Sequence, residues 1–85
     1  MQRSELLRRI KLGLHQVDAL LDEVERANLA GRSEASKEAM RRCQATVGVL
    51  VSDAQKALEG GAELPPLLVT GFRLLTARLR HKIRN

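Results

Sequence analysis

Few side chains in this sequence are of a type that does covalent or metal chemistry. There are two histidines, His15 and His81, one cysteine, Cys43, and ten carboxylates. No CxxC, HExxH or comparable ligand spacing occurs, so the tetrahedral nitrogen and sulfur sets that hold zinc are not matched. No nucleophile elbow, Walker loop or dinucleotide fingerprint occurs either, and Gly60-Gly61 reads as a helix stop. His15 and Cys43 fall within about one turn of each other if the chain folds back as a hairpin. A Cys–His couple is therefore geometrically open. The plainer reading makes Cys43 a small buried hydrophobe and His15 an edge residue of an apolar stripe. No catalytic residue, cofactor or metal is expected, and the chain is read as a non-enzyme.

What remains is charge. The formal net charge is +5 in 85 residues. Residues 1–63 carry ten basic and ten acidic side chains, whereas residues 64–85 carry Arg73, Arg78, Arg80, Lys82 and Arg84 and no acid. The whole excess lies in that last segment, and any electrostatic function is sought there. Four readings fit it: a solvated face of a core helix, a surface for an acidic protein segment, phosphate contact with nucleic acid, or an amphipathic helix on a membrane surface. The single Phe, with no Trp or Tyr, disfavours base stacking, aromatic membrane anchoring and an aromatic-lined ligand pocket.

Three helices must position these residues. The first is predicted over about 4–30. Leu6, Ile10, Leu14, Val17, Leu21 and Val24 recur at steps of three and four, Leu7 and Leu20 widen the stripe, Ser4 is a candidate N-cap, and Gly31 suits the left-handed position after the last turn. The second is predicted over about 34–59, capped by Ser33. It carries a thinner stripe of Met40, Cys43, Val47, Leu50, Ala54 and Ala57, which marks it as the central helix. Only Gly31 and Arg32 need separate the two, so they form an antiparallel hairpin. Folding back brings Asp53 toward Arg8 and Arg9, and Arg41 and Arg42 toward Asp18 and Asp22. The third helix is predicted over about 65–84, with Pro65 and Pro66 in its first turn and Leu68, Phe72, Leu75, Leu79 and Ile83 as its stripe. Gly71 is expected to let it approach the second helix closely. The fold class is all-α: a single small helical bundle, with a dimer as an open option.

At this size one core is marginal, and a lone cysteine forms no disulfide within the chain. No signal peptide and no membrane-spanning apolar run is seen, and a single free thiol fits a reducing compartment, so a cytoplasmic location is expected. Support from a partner, a second copy or a different protein, is the remaining remedy.

Residues Ala39 to Leu64 resemble part of the flagellin-export chaperone family, FliS. A small-residue helical stripe ends there in a Gly-Gly-Glu-like turn, matched here by Gly60, Gly61 and Glu63. Leu68, Phe72 and Leu75 then resemble the apolar spacing of the family's following helix, and Ala19 to Leu29 its preceding one. The likeness spans about residues 6–80. The chain departs from the family in being shorter, in lacking its tyrosines and in carrying Pro65-Pro66. The resemblance implies a helical bundle that holds an unpolymerised helical client in a groove.

The leading expectation is a small non-catalytic protein-binding module, a chaperone-like adaptor or inhibitor working by helix-in-groove packing. Leu7, Leu14 and Leu20, or Leu68, Phe72, Leu75 and Leu79, would supply apolar anchors. Arg73, Arg78, Arg80 and Arg84 would supply rim charges. A phage- or plasmid-encoded regulator that occludes a host protein fits the same features. A basic nucleic-acid-binding dimer is the alternative from another class.

Overall fold

The computed structural model describes residues 3–61 and 63–84, with side chains from Ser4 to His81. It contains three helices, α1 (Arg3–Leu29), α2 (Ser33–Glu59) and α3 (Pro66–Arg84), and no strand among the described residues. The side chains of Ile83 and Arg84, assigned above to the stripe and the rim, lie outside the described residues.

The turns follow from backbone chemistry. Gly31 takes a φ of 71°, the left-handed region that a Cβ disfavours. That conformation turns Arg32 N–H back onto Ala27 O at 2.8 Å and Gly31 N–H onto Asn28 O at 3.1 Å, which satisfies carbonyls left over at the end of α1. Gly61, with a φ of 80°, ends α2 in the same manner, donating to Leu58 O at 3.0 Å. Pro66 opens α3, and the carbonyl of Pro65 accepts from Leu68 and Val69 at 2.9 and 3.1 Å. Proline costs nothing at the first helical position because its missing N–H would have no partner there. Two expected caps are not used. Ser4 lies inside the first turn of α1, and Ser33 is the first residue of α2, whose N-cap position is held by Arg32 with no side-chain cap.

The central helix is α1, not α2. Among the described residues, α1 packs against both α2 and α3, whereas no α3 Cα comes within 8 Å of α2. The wide stripe of α1 explains this. Ile10, Val17 and Leu21, at its middle, are fully buried. One flank meets α2, where a Cβ on Gly13 would stand 3.0 Å from Leu50 Cδ1. The other flank meets α3, where a Cβ on Gly71 would stand 3.1 Å from Leu14 Cδ1. Gly71 therefore serves close approach to α1 rather than to α2. Each glycine lets a leucine seat against the facing helix, and a wide stripe on one helix is divided between two neighbours.

The register of both seams is legible in their pairs. Arg9 meets Asp53 at 3.2 Å and Glu23 meets Arg42 at 3.6 Å, so α1 and α2 are antiparallel. Gly71 beside Leu14 and Arg78 beside Asp22 make α3 parallel to α1. The body measures 45 × 21 × 15 Å, and no described helix is long and apolar enough to cross a membrane.

Candidate functional site

Because α2 and α3 both lean on α1 without meeting, a groove stays open between them. Its lining includes Ala54 of α2, Leu64 of the linker, and Val69, Phe72, Arg73, Thr76, Ala77 and Arg80 of α3, around about 470 Å³. Met40, Val47 and Ala54 repeat every seven residues along α2 and are half-buried against the core. Phe72 and Leu79 repeat every seven along α3 and are half-buried in the same way. Seven-residue spacing keeps side chains on one helical face. The two rows therefore stand as walls that are apolar and incompletely covered. Val51 and Leu58, exposed at 45% and 56%, extend the apolar edge of α2. Thr76 turns its hydroxyl onto Phe72 O at 2.8 Å, so it lines the groove without an unsatisfied donor.

Beyond the groove, on the α1 side of α3, lies the main electrostatic feature. Arg78 donates to the side chains of Asp18, Asp22 and Glu25, at 2.5 Å to Asp22 and 3.3 Å to Glu25. The three acids stand at i, i+4 and i+7 on α1, one stripe facing α3. The hydrogen bond that Arg78 donates to Asp22 pushes its guanidinium further up from its already high value, with Glu25 and Asp18 adding to it against the cost of burial. Asp18 and Asp22 thus meet Arg78, not Arg41 and Arg42. Arg41 pairs within α2 with Glu38 at 2.8 Å, and Arg42 reaches Glu23. On the opposite seam Asp53 is 3% exposed and is held by Arg9.

The expected anchors divide by burial. Leu20, Leu68 and Leu75 are core residues, and Leu7, Leu14, Phe72 and Leu79 are half-buried against them. Leu7, Leu14 and Leu20 do not form an open row, since α1 is covered on both flanks. Of the anchor residues, Phe72 lines the groove, together with the rim residues Arg73 and Arg80. Arg78 is turned away from it into the acidic stripe. Ala54, Leu64, Val69, Thr76 and Ala77 were missed as lining. Their signal was the position of Val69 and Thr76 beside the stripe of α3, on the edge opposite Gly71 and Arg78.

Cys43 is fully buried. Burial pushes its thiol up from the ordinary value, partly offset by the positive charge of Arg78. At neutral pH the sulfur is therefore protonated, which is the unreactive form. His15 is exposed and faces a second cleft, of about 400 Å³, along the α1–α3 seam with Lys11 and Leu74. Among the described residues, no group of three or more His, Cys, Asp and Glu is placed to hold a metal ion.

No protein-family model matches the chain, and neither the curated proteins nor the solved structures contain a match to it.

Proposed function

We propose that the protein is a helix-binding module whose working surface is the α2–α3 groove. It would act as a chaperone-like adaptor, or as a regulator that occludes its target. One observation carries this reading: two half-covered, heptad-spaced apolar rows, Met40–Val47–Ala54 of α2 and Phe72–Leu79 of α3, reach one open groove at Ala54 and Phe72. A single added helix would bury both walls at once, and two walls with heptad spacing are the receiving half of helix-in-groove packing. A client held as a helix in a groove is also what the resemblance to the flagellin-export chaperones implies. The sequestration of Arg78 counts against the nucleic-acid reading, because it takes one of the five cations of α3 out of reach of phosphate.

Site-specific photo-crosslinking tests the reading. A benzophenone side chain at Thr76 or Val51, in the full chain inside expressing cells, should give adducts that protease destroys and nuclease leaves intact. The same group at Gln16, on the other side of the hairpin, should give none. Equal adducts from Gln16, or adducts removed by nuclease, would overturn it.

A further inference from the structure

We infer that the occupant of the groove is an amphipathic helix of a different protein, acidic along the flank that lies beside α3. The inference rests on the groove reading above and adds the chemistry of the guest. Arg73 and Arg80 both line the groove. They stand seven residues apart, about 10.5 Å along one face of α3. Among the described residues no acid lines the groove and neither arginine makes an ion pair. The opposite rim is different. On the outer edge of α2 the residues next to the apolar wall are Lys37, Arg41, Gln44, Val51 and Gln55, and both cations are already paired within α2, Lys37 with Glu34 and Arg41 with Glu38. A guest helix therefore meets positive charge on one flank and a neutral edge on the other. Carboxylates at heptad spacing on one flank complement that field, and lysines there would be repelled. Ala54 puts a small side chain at the α2 side of the groove, which leaves room for a branched or long apolar side chain of the guest.

The same charges argue against a second copy of this chain as the occupant. A copy would need a helix with heptad-spaced acids beside an apolar row. Asp18 and Glu25 are the only two carboxylates seven residues apart in the whole sequence. Both are already bound to Arg78. A two-fold arrangement that paired one groove with another would also bring two basic α3 helices together, and like charges across a seam are costly.

A displayed library tests this. Its members are amphipathic helices of about five turns, near the length of α3. They have Leu, Ile, Phe, Met or Ala at the core positions, and Glu, Gln or Lys drawn at random on both flanks. Selection on the intact protein should enrich Glu on one flank only. Affinity for the enriched helices should fall roughly tenfold in an Arg73→Gln, Arg80→Gln double variant and in Ala54→Leu, which takes up that room. It should be unchanged in Arg26→Gln, an exposed arginine elsewhere. Thr76→Glu is a second groove variant at an exposed position, so loss of binding there does not hinge on refolding of the core. Enrichment without acidic bias, still sensitive to Ala54→Leu, would overturn the acidic guest and leave the groove reading standing. No enrichment, or binding indifferent to Ala54→Leu and Thr76→Glu, would sink both. A dimer by light scattering that Ala54→Leu dissociates would assign the groove to a second copy and overturn the inference.

Discussion

The α1–α2 hairpin and the α3 arm carry apolar stripes of the same period, yet they are held in different ways. The hairpin joins two helices of 27 residues through a two-residue link. It closes over Ile10, Val17, Leu21 and Cys43, all of them sealed from solvent. Its cross-helix ion pairs, Arg9–Asp53 and Arg42–Glu23, lie beside that core. The arm has 19 residues and packs on one helix only. It brings two buried leucines, Leu68 and Leu75, each still 8% exposed, and one arginine that engages three acids. The difference teaches that the hairpin is held by shape and the arm in large part by charge. Elements with few buried apolar contacts open first. The arm should therefore open independently of the hairpin, and it is the arm that supplies one wall of the groove.

The largest expected effect lies in the hairpin. Leu21→Ala should cost about 2–5 kcal/mol, the transfer term plus the cavity it leaves. For a domain of this size that is most of the stability available. Far-UV circular dichroism during a urea titration should show all three helices lost together. If the hairpin survived and only the arm melted, the hairpin would not be the foundation described here.

A smaller effect should sharpen the contrast. Arg78→Gln removes the clasp and takes from Asp18, Asp22 and Glu25 the guanidinium that they share. Because those acids are substantially exposed, the loss should be only about 1–2 kcal/mol. Hydrogen exchange should speed up across residues 66–84 and change little in α1 and α2. High salt should mimic the substitution in the wild-type protein, since screening weakens exposed pairs. Uniform acceleration over the chain would mean that the arm and hairpin unfold as one unit.

Much of this division was legible in the residues, and the part that was not has a physical cause. Periodicity marks all three helices to within a residue or two, and Gly31 marks the turn. A stripe as wide as that of α1 also signals more than one neighbour, but periodicity does not say how a wide stripe is shared. The thin stripe of α2 suggested enclosure; in fact small side chains leave that helix with an open edge at Ala54. The destination of Arg78 was readable in outline. Gly71, Leu75 and Arg78 line one edge of α3 at i, i+4 and i+7, and Asp18, Asp22 and Glu25 line one edge of α1 at the same spacing. Matching them needs the parallel direction of α3, which is set by the linker after Gly61 and by the close approach at Gly71. The groove lining was the least legible, because a groove is defined by where two helices fail to meet.

The smallest effect is a pH dependence that joins the two regions. Cys43 belongs to the hairpin core, and burial raises its thiol above the ordinary value of 9.0, while Arg78 of the arm pulls it partway back. A raised folded-state value means that the unfolded chain releases this proton first. The contribution to stability is therefore complete below the ordinary thiol value. It declines as pH rises from there through the folded value, at no more than about 1.4 kcal/mol per pH unit. Urea titrations of wild type and Cys43→Ala across that alkaline range should differ by this slope alone, since every other group titrates in both. Arg78→Gln should extend the declining range upward by removing the opposing charge. If the slope in Arg78→Gln equalled that in wild type throughout, the arm would not be seated over Cys43 in the folded state, and the charge that holds the arm would have no reach into the core of the hairpin.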